Sequence, residues 1–144
     1  MGLLFYIAAT VMMVSCTKEN GDTSRNTNGG TSENSNSLSG TTWTAPYGSD
    51  ELFLIKFTSN TKCESYFADR NLNFVRSAKQ GSYKVSGSTV SFYGIEFVHI
   101  YMVYKLQSGT ISGNFMNTKG ENYTSTTSGG EGVHYEWNKT WNKH

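Results

Sequence analysis

In the stretch ELFLIKFTSNTKCESYF (Glu51–Phe67), Phe53, Ile55 and Phe57 fall at every second position, and after a short polar break Cys63, Ser65 and Phe67 do the same. A period of two sends alternate side chains to opposite faces of a strand. The break then selects the pairing. A three-residue loop, Ser59–Thr61, sets Phe57 opposite Cys63, Ile55 opposite Ser65 and Phe53 opposite Phe67, with Lys56 facing Glu64 on the other side. A two-residue loop would set Phe57 against Lys62 and Ile55 against Glu64. A slip of one residue turns a whole apolar face toward water, so the three-residue register is expected. It places Cys63 inside, as a small buried hydrophobe and not a reactive thiol.

Two further stretches support the same reading. GSYKVSGSTVSFY (Gly81–Tyr93) turns at Gly87-Ser88, a pair suited to a type II′ turn; Val85 meets Val90 and Tyr83 meets Phe92. IEFVHIYMVYKLQSGTISGNFM (Ile95–Met116) is expected to turn at Ser108-Gly109, pairing Leu106 with Ile111 and Met102 with Phe115. Its inner face is then Val98, Ile100, Met102, Tyr104 and Leu106. Its outer face carries Phe97, His99, Tyr101 and Val103 beside Met116, an apolar patch that suits a protein or glycan partner.

GTTWT (Gly40–Thr44) opens this region and GVHYEWNKTW (Gly132–Trp141) closes it, with Val133, Tyr135, Trp137 and Trp141 on one face. Lys139 interrupts that face and is expected near a rim. A weak strand is expected within Glu121–Thr126. With one Pro, fifteen Gly and 14% aromatic residues, and no helical periodicity, the chain is expected to be all-β. Eight or nine strands at hairpin spacing predict a small antiparallel meander closing into a β-barrel. Residues 38–144 suffice for one domain. Their ten Lys/Arg and eight Asp/Glu give a formal +2, far from the balance of a nucleic-acid binder.

The N-terminal part reads differently. Leu3–Val14 holds one polar residue, Thr10, and rises only about 18 Å as a helix, short of the roughly 20 residues that span a bilayer. Small Ser15 precedes Cys16, as at a signal-peptide cleavage site. Residues 17–37 contain no aliphatic or aromatic side chain, so they are expected to form a disordered tether. The alternative reading of Cys16, as an ordinary cysteine in a buried helix, fits poorly with the abrupt polar switch at Thr17.

Met13-Val14-Ser15-Cys16 resembles the lipobox of bacterial lipoproteins. The resemblance implies a signal peptide over residues 1–15, with Cys16 as the lipidated first residue of the mature chain and residues 16–37 as lipid anchor and tether. The Gly-Thr-Thr-Trp opening, the hairpins and the aromatic last strand resemble the small lipocalin-like barrel lipoproteins of Bacteroidetes, and the predicted barrel is lipocalin-like or streptavidin-like. This implies an outer membrane lipoprotein of the bacterial cell envelope, held to the membrane through its N-terminal lipid.

Signals for chemistry are sparse. There is no Gly-x-Ser-x-Gly elbow, phosphate-binding loop or Cys-x-x-Cys. Asp69, Asn71 and Asn73 start like a calcium loop, but Phe74 replaces the turn glycine and Gln80 the bidentate Glu. A hairpin turn is the expectation. His134 and Glu136 share a strand face and could offer two metal ligands, with His99 as a third, yet an exposed polar face is the simpler reading. Asp50 and Glu51 are neighbours in a loop, and His144 is expected to be a free terminus. No cofactor, metal or catalytic residue is expected. The leading function is non-catalytic binding or interaction by a tethered barrel; the alternatives are a carrier of a small apolar ligand inside the barrel and, more distantly, an enzyme.

Overall fold

The computed structural model describes residues 37–144. The expected signal segment, Cys16 and all of the tether but Ser37 lie outside the described residues.

The domain is all-β, built as β1 (Thr42–Tyr47), β2 (Glu51–Phe57), β3 (Lys62–Asp69), β4 (Phe74–Ser86), β5 (Thr89–Tyr93), β6 (Glu96–His99), β7 (Met102–Ser112), β8 (Phe115–Thr124) and β9 (Tyr135–Lys143). Pairing runs β5-β4-β3-β2-β1-β9-β8-β7-β6, and β5 also pairs with β7. The sheet thus closes into an antiparallel eight-stranded barrel. β5 and β6 follow one another along β7 and share one position, with a kink at Gly94 (φ +71°) between them.

The first two hairpins form in the predicted registers. Phe57 opposes Cys63, Ile55 opposes Ser65 and Phe53 opposes Phe67. Val85 opposes Val90 and Tyr83 opposes Phe92. Gly87 has φ +58°, as the first central position of a type II′ turn requires. Lys56 does oppose Glu64, but the Glu64 carboxylate accepts its hydrogen bond from Gln80 Nε2 at 3.3 Å. Cys63 is buried, and burial pushes its thiol up to about 12.

The third hairpin differs from expectation. The long strand is interrupted by a turn at Ile100-Tyr101, where His99 opposes Met102. β7 runs straight through Ser108-Gly109 and turns at Gly113-Asn114, where Ser112 opposes Phe115. Gly109 serves packing here. A Cβ at that position would sit 3.1 Å from Val90 Cγ1 and 3.2 Å from Met116 Cγ. The unexpected turn reverses the faces of the residues before it. Phe97 opposes Tyr104 on the inside, and Val98 opposes Val103 on the outside.

The expected patch of Phe97, His99, Tyr101, Val103 and Met116 therefore does not assemble. Phe97 and Met116 are 0% exposed and belong to the core. His99 faces the barrel end, Tyr101 sits in the turn, and Val103 is buried on the outer face against Val98 and Tyr123.

Trp43, Phe53, Phe57, Phe67, Phe97 and Trp141 fill the interior, none more than 1% exposed. The indole N–H of Trp141 donates to Thr118 Oγ1 at 2.8 Å, so this buried polar group is satisfied. One end is sealed. Leu38 is buried there, Gly40 N donates to Phe57 O, and the Tyr83 hydroxyl donates to Ser59 O at 2.7 Å. Strands β1 and β9 pair only at Trp43–Lys143 and Thr44–Asn142. Beyond that seam, Lys139 reaches across with Nζ 3.5 Å from Pro46 O and 5.7 Å above the Phe53 ring. Pro46, which has no N–H to donate, suits this unpaired edge. His144 is ordered by its backbone bond to Thr42 and by a 2.7 Å contact with Thr44 Oγ1.

Candidate functional site

The opposite end of the barrel is polar. Four connections surround it: Gly48–Asp50, Arg70–Asn73, Ile100-Tyr101 and Ser125–His134. Directly opposed residues share a face, and that rule turns Tyr47, Glu51, Arg76, His99, Tyr104 and Asn122 inward here.

Tyr47 forms the floor of this opening. Its ring lies 4.9 Å from Phe53, 4.7 Å from Phe67, 5.6 Å from His99 and 6.0 Å from Tyr104, each edge to face. Its hydroxyl hydrogen-bonds His99 Nδ1. Burial, reinforced by the neighbouring Tyr47, raises the Tyr104 phenol above its ordinary range.

Beside this floor, Arg76 donates Nη1–H to Glu51 Oε1 at 2.6 Å and Nη2–H to Glu51 Oε2. Its guanidinium lies 4.6 Å above the Phe67 ring. The bidentate bond to Glu51 keeps the arginine charged, with smaller help from the Tyr47 hydroxyl. Two polar atoms in this end are nonetheless buried without a partner: the Arg76 Nε donor and the Asn122 Oδ1 acceptor. Asn122 stands opposite both Tyr104 and Tyr135.

A latch ties the last rim connection to the outer wall. His134 stacks on Tyr123 with centroids 4.5 Å apart and 16° between planes. Its Nδ1 lies 2.9 Å from Glu121 Oε2, and its Nε2 lies 3.1 Å from Glu131 Oε2. Lys105 Nζ stands 3.8 Å from Glu121 on the far side. The bond to Glu121 is the main cause that raises the imidazole above its ordinary value, and the same bond lowers the Glu121 carboxyl.

The metal candidates read from the sequence are dispersed. His134 turns to Glu121 and Glu131, Glu136 accepts from Asn138 Nδ2, and His99 binds Tyr47. Among the described residues no group of three such side chains is placed to hold a metal ion. Asp69 caps its own hairpin turn, accepting from the backbone N–H groups of Asn71 and Asn73 at 2.8 Å, and these bonds with the Asn73 side chain lower its carboxyl.

Sequence reasoning missed most of the polar end. Arg76 lies in the first half of β4, where pairing with β3 is irregular and Ser77 has φ +61°. Asn122 lay in a strand read as weak. The usable signal was parity, since Asn122 shares a face with Gly120, which lies opposite Trp137.

No family model matches the sequence, and no curated protein matches it. Among solved structures the chain is similar to that of the bradavidin2–biotin complex, with a TM-score of 0.43 and 14% identity over 74% of this chain and 97% of that chain.

The latch carries a pH signature. Its Glu121 half is lost as pH falls through the lowered carboxyl titration, and its His134 half is lost as pH rises through the raised imidazole titration. The latch is therefore tight in mildly acidic solution. An NMR titration should place the His134 midpoint above about 6.5, the ordinary imidazole value, and Glu121→Gln should move it down. A midpoint at or below the ordinary value, or one indifferent to Glu121→Gln, contradicts the latch.

Proposed function

We propose that this protein is a lipid-anchored, non-catalytic binding barrel of the bacterial cell envelope that takes a small ligand at its polar open end. The anchoring half of the reading rests on the lipobox resemblance around Cys16 and on the polar composition of residues 17–37. Leu38, the residue that follows the expected tether, is buried at the sealed end of the barrel.

The binding half rests on one observation: Arg76 Nε and Asn122 Oδ1 are buried and unpartnered at the open end. A polar atom left that way costs about 1–3 kcal/mol and contributes nothing to the fold. A ligand that completes both hydrogen bonds gives them a purpose. The aromatic filling of the interior argues against an apolar ligand held deep in the barrel, and it directs attention to the end. The partner at the membrane is the lipid bilayer itself, engaged through two or more acyl chains at about 0.8 kcal/mol per buried CH₂.

Two experiments test the two halves. Cys16→Ser should abolish incorporation of labelled palmitate; label that persists in the variant contradicts the anchor. Asn122→Leu should leave the unfolding free energy unchanged or raise it by about 1–2 kcal/mol, as removal of an unpaired buried acceptor does. The same change should remove the thermal stabilisation given by whichever small metabolite protects the unmodified protein. A clear loss of stability would assign Asn122 to the fold and not to binding.

A further inference from the structure

We infer that the ligand of the open end is a neutral saccharide, bonded by the orphan groups of the mouth and stacked on the tyrosines of its rim. The inference rests on the binding reading above and goes on to its chemical class.

Charge comes first. Arg76 is matched bidentately by Glu51, and the Lys139 ammonium is directed at Pro46 O and the Phe53 ring. Arg70 on the rim donates to Ser49 O, so the interior of the mouth offers an anion no unmatched guanidinium. What it does offer is one N–H donor at Arg76 and one acceptor at Asn122. A hydroxyl both donates and accepts, so a polyol satisfies this pair without bringing charge. Both side chains are half-buried at the open end.

The rim supplies the second observation. Ile100, Tyr101, Val133 and Tyr135 are 75%, 55%, 70% and 63% exposed. The fold brings their two connections side by side. Ser125 N donates to Tyr101 O at 2.6 Å and Gly132 N to Thr124 O at 2.8 Å, while Tyr135 stands opposite Asn122. Apolar exposure gathered on two adjoining loops differs from scattered surface residues. Tyrosine combines a flat apolar face with a hydroxyl at its edge, which matches a sugar ring with C–H groups on its faces and hydroxyls around its perimeter.

Backbone strain is the third. Ile100 has φ +55°, a region that β-branched residues rarely occupy. That conformation forms the turn holding Ile100 and Tyr101 out in solvent, and strain of this kind clusters at ligand clamps.

The test presents the full-length chain in detergent to immobilised neutral hexose and N-acetylhexosamine oligosaccharides, matched acidic oligosaccharides and a peptide library. The expected result is binding to one or more neutral saccharides. Tyr135→Ala and Asn122→Ala should each weaken it about tenfold, the scale of one lost stacked or hydrogen-bonded contact. Tyr93→Ala, an exposed tyrosine away from the mouth, should leave it unchanged, and unchanged melting temperatures for Tyr135→Ala and Tyr93→Ala separate binding from folding. If no neutral saccharide binds, or if binding ignores both Tyr135 and Asn122, the inference is overturned. An acidic glycan or a peptide that responds to both variants, where no neutral saccharide does, overturns the neutral saccharide and keeps the open end as the ligand site. A thermal-shift ligand insensitive to Asn122→Leu, with no responsive class on the array, overturns both.

Discussion

Phe53 is the contact on which the rest of this molecule depends. It sits on β2 with Tyr47 of β1 at 4.9 Å, Phe97 of β6 at 4.9 Å, Trp137 of β9 at 5.0 Å, Tyr104 of β7 at 5.2 Å and Phe67 of β3 at 5.3 Å. One ring therefore ties together strands from all around the barrel, including β1 and β9, whose backbones pair at only two positions. Each such aromatic buries about 150–250 Å². At about 25 cal/mol per Å² that is roughly 4–6 kcal/mol of transfer free energy per ring, set against the entropy lost in ordering the chain. The seam between β1 and β9 is held by side chains more than by backbone hydrogen bonds. Lys139 of β9 adds to it by directing its ammonium to Pro46 O of β1.

The same ring cluster positions the polar end. Tyr47 packs on Phe53 and Phe67, and this fixes its hydroxyl against His99. Arg76 lies on Phe67 and is locked there by Glu51. The Arg76 and Glu51 side chains remain 30% and 27% exposed, and an ion pair that solvent reaches stabilises little, so stability alone does not call for it. Here the polar groups are retained, and two of their atoms are left without partners. Departures from local consistency of this kind are expected where function is held.

Legibility in the sequence followed the strength of the local turn signal. Ser59–Thr61 and Gly87-Ser88 announce themselves, and once a turn is known, alternation assigns every side chain to a face. The Ile100-Tyr101 turn has no such residue. It is imposed by the closure of the barrel at the cost of a left-handed isoleucine. Gly109 misled for the converse reason, since a glycine needed for close packing looks like a turn glycine. The missed turn at Ile100-Tyr101 moved Phe97 and His99 from outside to inside, the displaced turn at Gly113-Asn114 brought Met116 in, and together they dissolved the expected patch. The candidate site was less legible than the fold. It is a property of one barrel end, assembled from residues on β1, β2, β4, β6, β7 and β8 that no local pattern connects.

The account stands on a barrel that is filled with aromatic side chains and open only at its polar end. Its most direct test is the unfolding free energy of Phe53→Ala measured by denaturant titration of the full-length chain. A filled interior predicts a loss of about 3–5 kcal/mol, the range for deleting a buried aromatic ring. A change within about 0.5 kcal/mol, the range of exposed positions, would mean that Phe53 faces an unfilled lumen, and it would contradict the account.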